Sequence, residues 1–326
     1  MAGLGFIRPE PLICKPYVQV MKRLSVLMSV ILLCAGTNAS AQDSGLAFLS
    51  IGTNAAAGAM GDAQVSNSQD AFSTYWNPAG LAAARSNSAA LSHHIWVAQT
   101  RTYSLASRFR SGPNGGVGLF LTALDSGDLE ARQQPGEAEG LFGAQFISLG
   151  ASYGRSFGPI RLGTSVKYLS ENIASDTAVG YAFDFGFQAD LFREGIKIGA
   201  ALQNVGEMSE LNTVASELPQ TVRGGISIYP FRVLAMADGT VLLNAFLTGE
   251  VSHIVPSEKT RYHFGAAAEV IELVTVRAGY VTNDELRGIT FGGGLGSNGF
   301  LFDYAFMPFD DGFGGPGHVL TLLYLW

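Results

Sequence analysis

Residues 298–326 constrain the fold more than any other stretch. Phe300, Phe302, Tyr304 and Phe306 alternate with Leu301, Asp303, Ala305 and Met307. After a Gly/Asp/Pro loop, Leu320, Leu322, Tyr324 and Trp326 alternate with smaller residues up to the end of the sequence. Successive side chains of an extended chain point to opposite faces, so each set is one environment. Four aromatics on one face require a wide apolar surrounding. Asp303 on the other face requires water or a hydrogen-bonding partner. An apolar outside with a polar inside inverts a soluble sandwich and matches a transmembrane β-barrel. The alternative for this stretch alone is an edge hairpin of a soluble β-sandwich.

Composition favours the barrel. Among 326 residues, 41 are Gly, 14% are charged and the mean hydropathy is +0.22. That is apolar and glycine-rich for a soluble protein, yet no run of 18 apolar residues could form a membrane-spanning helix. A barrel satisfies both facts, because its lipid-facing residues alternate.

Residues 1–41 read as a leader. Met21-Lys22-Arg23 is a basic start, 24–35 an apolar stretch too short to span, and Ala39-Ser40-Ala41 a small-residue cleavage site before Gln42. Met21 is the expected initiator. A lipoprotein cysteine at Cys34 fits less well, because Leu33 precedes it. Cys14 and Cys34 are the two cysteines, so cleavage removes disulfide and thiolate-metal chemistry. The leader carries four basic residues and one acidic one, and its loss moves the net charge from −7 to −10. An acidic exported chain is a poor candidate for binding nucleic acid. For a barrel with such a leader the expected destination is the bacterial outer membrane, with its lipid as a partner.

From residue 86 to 326, period-two segments recur between Gly/Pro/Asp breaks, near 86–97, 100–110, 115–125, 140–154, 159–171, 176–191, 195–205, 219–230, 240–253, 259–270, 272–282, 286–296, 298–308 and 317–326. This gives an all-β fold, an antiparallel transmembrane β-barrel of about 14 strands, the even count of bacterial barrels. Tyr181, Phe183, Phe185 and Phe187 oppose Ala182, Asp184, Gly186 and Gln188. The fourth segment mixes parities at Phe142/Phe146 and Ile147/Leu149, which reads as a bulge or face switch. Breaks near 111–114, 156–158, 192–194, 271 and 297 are short. Those at 126–139, 206–218, 254–258 and 309–316 are long, as periplasmic turns and outer loops require. The break at 231–239 is too long for its side. Acids in the loops (Asp125, Asp128, Glu130, Glu137, Glu139, Glu207, Glu210, Glu217, Asp310 and Asp311) read as solvated tips, with a cation or partner surface as the alternative.

If the aromatics face out, Arg161, Lys167, Asp184, Gln188, Arg223, Glu269, Arg277 and Asp303 face the lumen. They brace it as ion pairs or line a path through it. Inward Gly163, Gly186, Gly199, Ala201, Gly265, Ala267 and Gly292 leave room for a plug. No motif argues for catalysis, a cofactor or a metal. Ser152 in Gly150–Gly154 matches G-x-S-x-G but is followed by a strand, not the helix that a nucleophile elbow needs. Gly294–Gly299 matches G-x-G-x-x-G but reads as a hairpin turn. His93 and His94 point to opposite faces of a strand and cannot chelate one ion together.

Residues 42–85 differ from the rest. A Gly/Ala-rich stretch with Met60-Gly61-Asp62-Ala63 precedes Trp76-Asn77-Pro78-Ala79-Gly80-Leu81, in which Pro78 pushes Asn77 out of the helical region. From Leu46 to Leu81 this resembles the N-terminus of FadL-like outer-membrane proteins, transporters of long-chain fatty acids and aromatic hydrocarbons, and within them the PorV/PorQ branch. The resemblance implies that 42–85 is a hatch in or under the barrel, with Trp76, Asn77, Pro78, Ala79 and Gly80 as its turn. Ending on Leu320, Leu322, Tyr324 and Trp326 resembles the C-terminal signal read by barrel-assembly machinery. The PorV/PorQ resemblance implies an accessory role in type IX protein secretion or surface attachment, with secretion components and cargo as partners. The wider resemblance implies transport of a hydrophobic ligand instead. A structural barrel without its own cargo is the third expectation.

Overall fold

The computed structural model describes residues 46–83, 86–97, 100–127, 129–131, 140–192, 194–234, 244–270, 273–309 and 315–326. The expected leader lies outside them, as do Asp128, Glu137, Glu139, Asp310 and Asp311 of the loop acids. The strands are β1 (Ser88–Ile95), β2 (Arg101–Arg110), β3 (Gly115–Asp125), β4 (Leu129–Ala131), β5 (Gly140–Phe142), β6 (Ala144–Phe157), β7 (Ile160–Ile173), β8 (Asp176–Leu191) and β9 (Ile196–Met208). They continue as β10 (Glu210–Leu211), β11 (Val214–Ala215), β12 (Thr221–Ile228), β13 (Asn244–Ile254), β14 (Lys259–Val270), β15 (Val274–Thr282), β16 (Ile289–Ser297), β17 (Phe300–Met307) and β18 (Gly317–Leu325). Fourteen of them form one closed antiparallel barrel in sequence order. The pairs β4–β5 and β10–β11 are small ribbons within two loops. The barrel closes where β1 meets β18, from Ser88 opposite Leu325 to Ile95 opposite His318.

The two faces separate as the alternation demands. Leu91, Leu105, Leu119, Phe185, Phe264 and Phe302 are exposed outward, each with about half of its surface bare. Their strand neighbours Ser92, Ser104, Asp184, His263 and Asp303 are buried. Water would penalise such an outer face, whereas hydrocarbon does not. The Asn298-Gly299 turn between β16 and β17 has positive φ at both positions, 51° and 84°. That is the tight turn whose twist matches antiparallel strands, and it accounts for the Gly294–Gly299 motif.

Connections on the side of both barrel termini are short at 111–114, 158–159, 192–195, 271–273 and 298–299. The exception is 229–243, which carries a helical turn, Pro230–Leu234. On the opposite side, 126–143 and 209–220 hold the ribbons. The two-residue turn at 174–175 breaks the long-loop rule. There β7 and β8 run 14 and 16 residues, more than the roughly 9–11 that a tilted strand needs to cross, so the hairpin itself takes the place of a loop. The expected bulge in the fourth segment is not there. β6 pairs with β7 without a slip from Ala144 to Phe157, and the parities mix because Phe146 turns inward against Phe48, ring centroids 5.5 Å apart. The slip lies in β8–β9 instead. Asp184 faces Gln203 and Asn204, Asn204 has φ 60°, and its N–H donates to Asp184 Oδ1 at 2.8 Å.

Candidate functional site: the filled barrel interior

Residues 46–83 run through the barrel from the long-loop end to the short-turn end. Leu46, Phe48 and Leu49 pack against Leu124, Leu169, Met208 and Leu218 near the long loops. Leu81 lies over Gly116, and Pro78 over Gly154 and Gly163, near the short turns. The segment holds only short helical pieces: Ala47–Ser50, Ala55–Gly58, Ser73–Trp76 and Pro78–Ala82. Isolated turns of this length are not stable by themselves, so contact with the wall holds them.

That contact is close because the wall is stripped of side chains where the segment passes. A Cβ on Gly163 would come 2.3 Å from the carbonyl carbon of Pro78, and one on Gly186 would come 2.1 Å from Asn77 Oδ1. Gly199, Gly265 and Gly292 lie likewise beneath Val65, Met60 and Ala59. Asn77 ties the turn to two strands at once. Its amide nitrogen donates to the carbonyls of Val65 (2.7 Å), Phe187 (3.0 Å) and Ala200 (3.2 Å), and its oxygen accepts from Ala79 N–H. Pro78 takes the first position of the short helix, where its missing N–H costs nothing. Trp76 is fully buried, donates from Nε1 to Asn54 Oδ1 at 2.8 Å, and carries the Arg223 guanidinium 5.1 Å above its ring. Ala79 and Gly80 pack within the same turn, where a Cβ on Gly80 would lie 2.0 Å from the Ser68 carbonyl oxygen.

The inward charges meet opposite charges. Arg161 and Asp190 form a two-pronged pair at 2.5 and 2.7 Å. Lys167 lies 2.7 Å from Asp184 and donates to Asn204. Arg223 reaches Glu250 at 2.7 Å and donates to Gln203. Glu250 also accepts the backbone N–H groups of Gln64 and Val65, both at 2.8 Å. Arg277 and Asp303 meet at 2.6 Å. Gln188 donates to the carbonyls of Val65 and Ser68. Glu269 stands apart at the short-turn end, accepting from Asn244 at 2.7 Å. The outward row Leu320, Leu322, Tyr324 and Trp326 is exposed on β18 and just beyond it. Ser152 donates to or accepts from Ser165 at 2.7 Å within the wall. His94 faces inward beside the Gly52 carbonyl, and His93 stacks on Tyr103.

Sequence reasoning missed the partners Asp190 and Glu250. Thr248, Glu250 and Ser252 alternate with Leu247 and Val251, a signal that could have found Glu250. It also missed the latch at the long-loop end. Arg287 Nη1 lies 2.6 Å from Asp62 Oδ2 in the inner segment, Nη2 lies 3.1 Å from Asp284, and the guanidinium sits over Trp96. Burial pushes the Asp62 carboxyl up, but the charge and hydrogen bond of Arg287 more than reverse this and hold it below the usual value. Burial and Arg287 set the same contest at Asp284, with the same downward outcome. Burial works against the charge of Arg287, and the two carboxylates raise its pKa further still.

Two hollows remain. A polar cavity of about 350 Å³ lies at the short-turn end, between the inner segment and the wall, lined by Asn67, Asp70, Lys197, Tyr229, Arg232 and Glu269 among others. An apolar hollow of about 420 Å³ includes the outward side of β13–β15, with Ala245, Leu247, Ala266, Ala268, Val276 and Ala278 in its lining. Phe246, Ala267 and Arg277 border both.

No family model and no curated protein matches this sequence. Solved structures do match its fold. The toluene transporter TbuX of Ralstonia pickettii superposes with a TM-score of 0.62 at 13% identity, over 84% of this chain and 98% of that one. The toluene transporter TodX of Pseudomonas putida gives 0.63 at 11% identity, over 84% and 99%. A second TodX structure gives 0.56 at 12% identity, over 83% and 96%. The chain is similar to these transporters in fold, and its architecture is that of an outer-membrane β-barrel.

Proposed function

We propose that this protein carries small hydrophobic molecules across the outer membrane, with residues 46–83 as the hatch that keeps the barrel from being an open pore. The observation that carries the reading is the apolar cluster inside the long-loop end. Leu46, Phe48 and Leu49 meet Leu124, Leu169, Met208 and Leu218 there, with Ile51, Phe146 and Leu211 packed alongside. Deeper in, the inward face is braced by ion pairs and by two further apolar clusters, around Phe72, Trp76 and Phe120 and around Met307 and Val319. A barrel that conducts ions or sugars has no use for an apolar inner surface, whereas an apolar solute leaves water readily at one. The fold shared with two toluene transporters supports the same reading. The PorV/PorQ resemblance and a type IX export role have no such observation in their favour.

Uptake of radiolabelled toluene by proteoliposomes tests the proposal. Vesicles carrying the folded protein should fill faster than empty ones, and faster than vesicles carrying a Phe48→Asp variant that still folds. Equal rates in all three would overturn it. Steady ion conductance of porin size in planar bilayers would count equally against the hatch.

A further inference from the structure

Lys197 breaks the pattern of the inward cations. Arg161, Lys167, Arg223 and Arg277 each hold a carboxylate within 2.7 Å. Lys197 is only 3% exposed, yet among the described residues it makes no hydrogen bond or ion pair. Its Nζ rests 5.1 Å from the centre of the Tyr229 ring. The carboxylate opposite it on β8, Asp190, is already committed to Arg161 by two short bonds. A second cation crowds the same ring, the Arg232 guanidinium at 4.3 Å. Arg232 reaches Glu194 only at 3.7 Å and donates to Asn244 at 3.2 Å. The other acids of the cavity are engaged elsewhere, Asp70 by the Phe72 N–H and Glu269 by Asn244. Lys197 and Arg232 thus face a cavity of about 350 Å³ with no close ion pair of their own, although Glu194, Asp70 and Glu269 also line it, and Arg277, paired with Asp303, borders it. A buried ammonium without an acceptor is costly, and an anion in the cavity would remove that cost.

We propose that this cavity, on the short-turn side of the inner segment, binds a small monocarboxylate with a compact apolar body. Its oxygens are taken by Lys197 Nζ and the Arg232 guanidinium. The carboxylates of Glu194, Asp70 and Glu269 in the same lining suit a singly charged carboxylate better than a phosphate. The apolar body lies against Phe246, which stacks on Tyr229 at 5.0 Å, and against Ala267 and Met60. The site lies at the opposite end of the lumen from the apolar cluster, and its existence does not depend on the transport reading.

Isothermal titration calorimetry on the full, folded chain in detergent tests this with three probes: benzoate, benzyl alcohol and inorganic phosphate. Benzoate should bind saturably. Benzyl alcohol, with the same ring and no charge, should bind at least ten-fold more weakly. Lys197→Gln and Arg232→Gln should each weaken benzoate at least ten-fold while keeping the heat-modifiable gel mobility of a folded barrel. If Lys197→Gln does not fold, the half-buried Arg232→Gln carries the test. Absent benzoate binding, equal binding of benzoate and benzyl alcohol, or variants that bind like the parent would overturn the site. Phosphate binding more tightly than benzoate would overturn its assignment to a carboxylate. None of these results bears on toluene uptake, so either proposal can fail alone.

Discussion

Replacing Arg287 by Met should cost stability in a way that depends on pH. Arg287 is the cation that holds Asp62, which is 4% exposed, at 2.6 Å. Asp284 retains Arg261 at 3.6 Å when Arg287 is lost, whereas Asp62 is left with no ion-pair partner. A lone buried carboxylate neutralises itself. Protonating a group with an ordinary pKa of 3.8 costs about 4 kcal/mol at pH 7 and about 1.6 kcal/mol at pH 5, at 1.36 kcal/mol per unit. Arg223 and His263 also favour the charged form of Asp62, so these values are ceilings, in line with the roughly 3–5 kcal/mol for breaking a buried pair. The sign follows from linkage. In the parent, Asp62 is held low, so its contribution is present above pH 4 and is lost as pH falls through its folded value. In the variant its pKa is raised, so the penalty shrinks as pH falls from 7 toward 4. Urea unfolding in lipid vesicles at pH 7 and pH 5 should therefore show a gap between parent and variant that more than halves on acidification. Asp62→Asn in the Arg287→Met background should remove the pH dependence. A gap below 1 kcal/mol at pH 7, or one equal at both pH values, would refute the reasoning.

Other expectations follow from the contacts. Gly163→Val places branched carbon where the Pro78 backbone lies, which should cost about 1–3 kcal/mol and raise single-channel conductance in planar bilayers as the turn is displaced. Phe302→Arg puts a charge on the lipid face and should cost roughly 2–4 kcal/mol, read as a lower urea midpoint in vesicles; Asp303→Asn, its inward neighbour, should lose a pair with Arg277 and leave the lipid contact unchanged. Phe48→Ala should open an apolar space between Phe146 and Leu124. Such spaces stay dry and take up benzene-sized solutes, so toluene should raise the unfolding midpoint of the variant more than that of the parent.

How much of this was legible depended on how local the cause was. The faces of β8 could be read from Tyr181 to Phe187 because each residue answers to what lies directly on its own side, lipid or lumen. The Asn77-Pro78 turn was legible because proline acts on its immediate neighbour. The inward glycines were legible as vacancies, but not what fills them. Arg287 and Asp62 meet across 225 residues of sequence, and no spacing announces such a pair. Phe146 misled because an aromatic on a barrel strand reads as lipid-facing until its partner, Phe48, is in place. The slip at Asp184 was hidden for a related reason. It leaves the hydrophobic alternation of β8 intact and falls on β9, where Gln203 and Asn204 are both polar and both turn inward.

The first residues of the inner segment and its stretch from Gln64 on are held differently, and the difference bears on passage. From Gln64 to Leu81 the packing of Phe72 and Trp76 against Phe120 is joined by a polar and directional hold: Asn77 to Phe187 and Ala200, Glu250 to the Gln64 and Val65 N–H groups, and Gln203 to the Tyr75 carbonyl. An apolar solute cannot replace any of these bonds, and each left unmade in a buried place costs about 1–3 kcal/mol. From Leu46 to Leu49 the hold is mostly apolar contact, which has no direction and which an apolar solute supplies equally well. A hydrophobic molecule therefore exchanges places with Phe48 or Leu49 at little net cost, and meets its barrier at the layer of Trp76, Arg223 and Asn77. On this view the hydrocarbon-accepting part is the cluster around Phe48 and Leu49, nearest the long loops. The stretch from Gln64 to Leu81 is a seal, and it yields only when its hydrogen bonds are exchanged as a set.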